Sequence, residues 1–195
     1  MGMSLRERLY YFRSFWIFPL ITLLLLEIAF RAEPESEPLH LLWLFPAGVL
    51  LWTLLEYGLH RFVFHIQIPM RNPRLKEVVN SSHLGHHASP RDRSKVLVHP
   101  IYGLVISSVL YGLIYVISGS LLTAIGVLAG VWAGFLYYES VHYRVHFSLS
   151  VSGVLQGQRQ RHFYHHFTNN KRCFGVTSPL WDYVFGTTLP QHPRM

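Results

Sequence analysis

The sequence predicts an all-α membrane protein with four transmembrane helices and a helical cap built from the segments beside them. The first reason is apolar content: 50% of the 195 residues are hydrophobic and only 14% are charged, against about 25% charged in soluble domains. The second is that nearly all basic residues fall in three of the five segments flanking the apolar runs. The third is the presence of 13 histidines in so short a chain. The lone cysteine, Cys173, excludes a disulfide scaffold and a thiolate metal cluster.

Four apolar runs approach the length of about 20 residues that a helix needs to cross a bilayer. We predict spans over residues 14–30, 39–59, 97–118 and 120–141, with the cap formed by residues 60–96 and 142–195, all in one domain over 1–195. The first run is short and contains Pro19 and Glu27. It has the basic front of a secretory signal but no small-residue cleavage site, so we expect it to remain as an anchor.

The distribution of basic residues predicts the orientation of the chain in the membrane. If both termini face the cytoplasm, 16 of the 17 lysines and arginines lie on the inner side, as the positive-inside rule requires. The first loop is instead acidic and contains Glu33, Glu35 and Glu37. The net charge of +7 therefore indicates a membrane surface and no nucleic-acid partner.

The fourth run carries Gly126, Gly130 and Gly134 at four-residue spacing. Small residues on one face allow helices to approach closely in lipid. This face is open to two interpretations: contact between two copies of the chain, or packing of helices within one copy. We favour packing within one copy because four spans must pack against each other.

Ten of the 13 histidines form four short clusters, all on the predicted cytoplasmic side. They are His60 and His65; His83, His86 and His87; His142 and His146; and His162, His165 and His166. Residues three or four apart share a helix face, and imidazole is a good ligand for iron, zinc, copper and nickel. Ten donors exceed what one ion holds, so we predict two ions with about five ligands each.

Two features of the histidine pattern need separate treatment. The spacing of five between His60 and His65 suits a helix end that unwinds, or a wide approach to a shared ion. The remaining histidines, His40, His99 and His192, lie outside the clusters, and we expect each to be replaceable by alanine.

Four carboxylates are predicted to orient the histidine rings, because a metal-bound imidazole donates its other nitrogen to an acceptor. Glu56 comes four residues before His60, and Glu139 comes three before His142. Both lie at the inner ends of spans, where an unpaired charge is costly. Asp92 and Asp182 follow the other two clusters along the chain.

Five strings of residues carry a resemblance to a known family. They are EYGLHRFVFH, HLGHHASPRD, ESVHYRVHF, RQRHFYHHF and FGVTSPLWDYVFGT. In order, spacing and flanking residues they resemble the membrane fatty acid hydroxylase and sterol desaturase superfamily over roughly residues 45–190, and most of all its fatty acid 2-hydroxylases. The resemblance implies a four-span core with a cytosolic helical cap that holds a dimetal centre. It also implies oxygen-dependent hydroxylation of a lipid acyl chain at the carbon next to the carbonyl.

The resemblance further implies the cofactors and partners. The ten histidines would hold two iron ions, and dioxygen would be the co-substrate; zinc can occupy imidazole sites but has no redox chemistry. Eukaryotic members carry a cytochrome b5-like domain that the 13 residues before the first span could not hold, so we expect a separate electron-transfer protein. We expect a bacterial inner membrane, or the endoplasmic reticulum in a eukaryote, with the metal site cytoplasmic.

Substrate contacts are predicted among basic and aromatic residues in or near the clusters. Arg144 and Arg161 could bind a carboxylate or phosphate group, and Tyr143 and Tyr164 could line the site. Lipid-headgroup contact is the alternative for the arginines, and for any one of them we favour it slightly.

Other functions fit the sequence less well. A hydroxylase or desaturase of another lipid, such as a sterol or carotenoid, uses the same histidine pattern. A metal transporter would place ligands along a path inside the bilayer, whereas these clusters lie on one side. A zinc hydrolase needs about three protein ligands and a general-base carboxylate, and the sequence has no HExxH pattern.

Overall fold

The structure, a computed structural model, describes residues 12–65, 72–73 and 83–190. Helices dominate these residues, and the described ranges contain no strand. The α-helices are α1 (Ser14–Ala32), α2 (Leu41–Leu59), α3 (Gly85–Ala88), α4 (Pro100–Ser118), α5 (Leu121–Phe147), α6 (Gly153–Phe167) and α7 (Leu180–Val184). A π-helical turn, His60–Phe64, continues α2, and short 3-10 turns cover Pro38–His40 and Arg93–Lys95. The predicted all-helical class is confirmed.

Four helical stretches have the length and composition to cross a membrane: Ser14–Ala32, Pro38–Phe64, Arg93–Ser118 and Leu121–Phe147. They contain the four predicted spans except for residue 120, which precedes the last stretch. The last stretch is the most enclosed, because 61% of its apolar window is buried against 6–11% in the other three. It also runs six residues past the predicted end at residue 141. The extension keeps His142 and His146 on one continuous helix.

Local residue chemistry explains where several helices begin and end. Pro100 opens α4 at a position where no backbone N–H is needed. Gly119 closes α4 with a left-handed φ of 67° and donates its N–H to Tyr115 O, as a C-terminal glycine does. The first N–H groups of α5, those of Leu121 and Leu122, donate hydrogen bonds to the carboxylate of Glu33.

The described part of the chain divides into two compact units, and the division falls within α2 and α5. Unit 1 comprises Met1–Trp52 and Leu97–Leu136; unit 2 comprises Thr53–Val96 and Tyr137–Met195. The prediction that the whole chain is one domain stays a prediction.

Within unit 1, the glycine face of α5 packs against α2. A Cβ on Gly130 would overlap the carbonyl oxygen of Phe45, and a Cβ on Gly48 would overlap that of Val127. Gly134 similarly lies against the Trp52 ring, where a Cβ would come within 2.6 Å. The small residues therefore serve packing within one chain, the interpretation favoured from the sequence.

Candidate metal centre

Unit 2 contains all ten clustered histidines, delivered by four helical elements. The π-helical turn at the end of α2 carries His60 and ends at His65. In a π-helix the backbone hydrogen bonds join residues five apart. The rings of His60 and His65, which have this spacing, therefore lie 5.1 Å apart, centroid to centroid. The other rings come from α3 and the residues just before it, from the last turns of α5, and from α6.

The ten rings form two sets of five, and in each set the ligand-capable nitrogens lie within 4.8 Å of one another. Set A consists of His60, His65, His83, His87 and His165. Set B consists of His86, His142, His146, His162 and His166. The number of ligands per set agrees with the two groups of about five expected from the sequence.

The spacing of nitrogens within each set fits coordination of a metal ion. In set A, the Nε2 atoms are 3.2 Å apart for His65 and His83, 3.0 Å for His83 and His87, and 3.0 Å for His65 and His165. In set B, they are 3.0 Å apart for His86 and His142, 3.1 Å for His86 and His146, and 2.8 Å for His146 and His162. Imidazole nitrogens at about 2.1 Å from an ion, at right angles to each other, are about 3.0 Å apart.

Hydrogen bonds on the far side of three rings fix which nitrogen faces each set. Nδ1 lies 2.5 Å from Phe174 O in His60, 2.7 Å from Arg172 O in His165 and 3.2 Å from Val96 O in His142. A carbonyl oxygen only accepts, so these Nδ1 atoms carry the proton and donate it. Each neutral ring then keeps its lone pair on Nε2, the arrangement typical of metal-bound histidine.

Burial keeps the rings in the neutral form that binds metals. It lowers the pKa of His86 to about 3 and that of His165 to about 4, in each case mainly because desolvation penalises the charged ring. Neighbouring rings add to the effect, and the pKa of His83 also falls well below its usual value. His60 Nε2 and His166 Nε2 are buried and have no hydrogen-bond partner among the residues that the structure describes. Such atoms are costly without a ligand, so the residues present fit a pair of bound ions.

The segment Arg172–Thr177, which we name the buttress segment, supplies the carbonyl acceptors of His60 and His165. Asp182, fully buried, accepts the N–H groups of Phe174 at 3.0 Å and Gly175 at 2.9 Å. Glu56, also buried, accepts the N–H groups of Val176 and Thr177. The carboxylates of Glu56 and Asp182 thus hold backbone that in turn contacts the rings.

The other two carboxylates predicted to orient the rings have different surroundings. Glu139 is buried within α5, three residues before His142. Asp92 is exposed; its carboxylate accepts from Ser94 N and Oγ and lies 3.6 Å from Lys95 Nζ. The expectation for Asp92 is therefore corrected: it caps the 3-10 turn at Arg93–Lys95, because a short acceptor just before a turn bonds the nearest free N–H.

The four residues predicted to contact substrate differ in their burial and in their contacts. Arg144 is exposed, and Arg161 is half-buried with a buried Nε that makes no hydrogen bond within the described part of the chain. Tyr143 packs 4.9 Å from the Phe147 ring, centroid to centroid. Tyr164 is half-buried, and its carbonyl accepts two N–H groups at the end of α6. Their role with substrate stays a prediction.

A cavity of about 640 Å³ reaches one ring of each set, and sequence reasoning missed most of its lining. It is lined by His87, His166, Phe167, Thr168, Asn169, Asn170 and Lys171. The rings of His87 and His166 are stacked at 4.0 Å, with 3° between their planes. The signal was present in the sequence as the polar run TNNK, which is separated from the last histidine pair by Phe167 alone.

The histidines outside the clusters have other roles. His40 is exposed in the 3-10 turn before α2. His99 caps α4 by accepting Ile101 N–H at 3.3 Å. His192 lies outside the described residues.

Comparison with known proteins shows the family to which this sequence is similar. The family model described as fatty acid hydroxylase matches residues 45–187. Human fatty acid 2-hydroxylase is 35% identical over 155 residues, which cover 78% of this chain and 41% of that protein. The ceramide very long chain fatty acid hydroxylase SCS7 of Saccharomyces cerevisiae is 33% identical over 148 residues, covering 75% of this chain and 38% of that one.

A solved structure has the same fold. It is described as full-length scs7p with only the hydroxylase domain visible, and it matches with a TM-score of 0.77 and 29% sequence identity. The match covers 90% of this chain and 66% of that chain. The chain spans about two fifths of the length of the mammalian relatives it matches.

Proposed function

The chain belongs to the fatty acid hydroxylase family, and from that premise we propose that it hydroxylates a lipid acyl chain at C2. The observation that carries the proposal is the gathering of ten imidazoles into two sets of five. The activities for which the relatives are named, fatty acid 2-hydroxylase and ceramide very long chain fatty acid hydroxylase, support the same chemistry. The helices of membrane-spanning length fit a substrate that itself lies in the bilayer.

Sets A and B are proposed to hold one iron ion each. With dioxygen, two electrons from a separate protein and two protons, bound iron would supply the oxidising power to convert a C–H bond to C–OH, with water as the second product; side chains alone do not supply it. In this chain the ligand groups are neutral imidazoles, and backbone carbonyls orient three of the rings. Burial keeps water away from the buried rings. Zinc also suits imidazole ligands but lacks redox chemistry, so we expect a zinc-filled protein to be inactive.

The cavity beside His87 and His166 is proposed to receive the polar end of the lipid. Carbon C2 is one bond from the carbonyl carbon, so the group that holds the carbonyl end must be close to the histidines. The cavity touches both sets and offers amides, a hydroxyl and the Lys171 ammonium. Arg144, Arg161, Tyr143 and Tyr164 remain candidates for further substrate contacts.

Lipid mass spectrometry of cells that express the protein tests the activity. We expect a gain of one oxygen on acyl chains, located at C2 by fragmentation. Replacement of His83, His87, His142 or His166 by alanine is expected to lower product by at least about 100-fold, since even changes behind the ligands cost 10–100-fold. The matched controls, His40→Ala and His99→Ala, are expected to retain product.

Three other results would change the substrate, the activity or the assignment of the histidines. Oxygen added to a sterol or carotenoid would keep the enzyme class and change the substrate. Unchanged lipids in cells that contain iron-loaded protein and a working electron donor would contradict acyl hydroxylation. Equal product from ligand variants and controls would contradict the assignment of the histidines.

A further inference from the structure

The two sets differ in what holds their rings. In set A, both His60 and His165 donate Nδ1–H to carbonyls of the buttress segment, at 2.5 and 2.7 Å. In set B, the corresponding bond of His142 goes to Val96 O, outside that segment, at 3.2 Å. Among the described residues, the ring-to-carbonyl bonds of the buttress segment therefore serve set A alone.

The buttress segment cannot hold its own shape by regular secondary structure. Its four consecutive N–H groups, from Phe174 to Thr177, all point to carboxylates: the first two to Asp182 and the last two to Glu56. A Cβ on Gly175 would overlap Ser178 O and lie 3.0 Å from Asp182 Oδ2. The loop thus closes tightly on Asp182.

We propose that Asp182 is a positioning residue for set A alone: it fixes the loop whose carbonyls orient His60 and His165, and it leaves set B unaffected. The inference rests on the proposed function in that both sets hold metal. It adds that the two ions depend on different parts of the chain, so one can be lost without the other.

Each carboxylate accepts three hydrogen bonds, and their distribution between the two oxygens separates Asp182 from Glu56. Asp182 Oδ1 accepts from Phe174 N and from Thr187 Oγ1 at 2.6 Å, and Oδ2 accepts from Gly175 N. In Asp182→Asn, an amide NH₂ must face a backbone N–H whichever way the side chain turns, so a donor meets a donor. A buried donor left unmatched costs the full desolvation penalty.

Glu56 is more tolerant of the same change. Its Oε1 accepts both backbone N–H groups, of Val176 and Thr177, and its Oε2 accepts only the Thr177 hydroxyl. In Glu56→Gln, the carbonyl oxygen can take the Oε1 position and the NH₂ can donate to the hydroxyl, which rotates to accept. We therefore expect the loop to survive this substitution.

Metal content of the purified full-length protein tests the proposal. The protein is equilibrated anaerobically with Fe²⁺ at a buffered free concentration about tenfold above the wild-type dissociation constant, then measured for iron per chain. Each wild-type site is then about 90% filled, so we expect close to two ions per chain in wild type, in Glu56→Gln and in the exposed control Asp92→Asn, and about 1.0–1.4 in Asp182→Asn. The set A ion is expected to bind 10–100-fold more weakly, as when groups behind metal ligands are removed.

Double variants identify which ion is lost. His83→Ala removes the set A ion, and adding Asp182→Asn should cause no further loss, leaving one ion. His146→Ala removes the set B ion, and adding Asp182→Asn should leave none. Circular dichroism of each variant checks that the helices are retained.

Three outcomes overturn the inference: Asp182→Asn keeps both ions, it loses both, or its loss adds to that of His83→Ala. None of these would contradict the proposed function, which is overturned if wild type makes no acyl chain hydroxylated at C2. A wild type that binds fewer than two ions would overturn the inference together with the assignment of the two sets.

Discussion

Each of the two His-X-X-His-His motifs sends rings to both sets. In α3 and the residue pair before it, His83 and His87 join set A and His86 joins set B. In α6, His162 and His166 join set B and His165 joins set A. Residues four apart on a helix differ in direction by about 40°, those three apart by about 60° and neighbours by about 100°. The four-spaced pair therefore stays together, and the remaining histidine turns to the other set.

The buried thiol of Cys173 gives a prediction at the scale of one residue. Burial raises its pKa to about 12, so at pH 9 only about one thiol in a thousand is the reactive thiolate. We expect iodoacetamide at pH 9 to leave the folded protein unlabelled and to label it fully in denaturant, as read from intact mass. An added exposed thiol, Ser150→Cys, serves as the positive control. Rapid labelling of the folded wild type would contradict the burial of this loop.

The sequence was informative about the ligands and less so about their supports. The ten histidines could be identified because helical spacing repeats within each cluster, and the same spacing could have predicted their division into sets. Asp92 was misassigned because a nearby turn competes for its carboxylate. The partners of Glu56 are about 120 residues away along the chain, and no local pattern reveals such a contact.

At the scale of elements, the glycine face of α5 is where two helix backbones meet. Gly130 and Gly48 face each other across α5 and α2, with carbonyl oxygens in the space that a side chain would need. The sequence predicted close packing here, since small residues recur every four positions. It could not predict that α5 continues to Phe147, because the apolar pattern ends before the helix does.

Gly130→Ala is expected to destabilise this contact by about 1–3 kcal/mol, because the added methyl group meets backbone that no rotamer change can move. Gly112→Ala in α4, where a Cβ would have no neighbour within 4 Å, is the matched control and should change stability by less than about 1 kcal/mol. The midpoint of thermal unfolding in detergent measures both. Equal midpoints for the two variants would show that the backbones can separate at little cost.

At the scale of the whole molecule, charge orients the chain. The acidic segment between α1 and α2 contains Glu35, and the basic segments contain all ten clustered histidines. Because basic residues stay on the cytoplasmic side, we propose that the metal centre faces the cytoplasm and that the acidic segment faces the opposite compartment.

Cysteines introduced one at a time test this orientation. Glu35→Cys and Ser150→Cys place exposed thiols on the two predicted sides, and buried Cys173 provides a silent background. We expect a membrane-impermeant maleimide to label the first from outside intact cells and the second only in inverted vesicles. Labelling of both reporters from one side would be incompatible with the proposed topology.

The π-helical turn at His60–Phe64 has a consequence for comparing related chains. Such a turn is an ordinary helix that has accommodated one additional residue. A homologue with one residue fewer would have its two histidines four apart on an α-helix, still on the same face. Alignments of distant relatives should therefore allow a single gap inside this helix, where gaps are normally penalised; otherwise His60 or His65 would be paired with the wrong position.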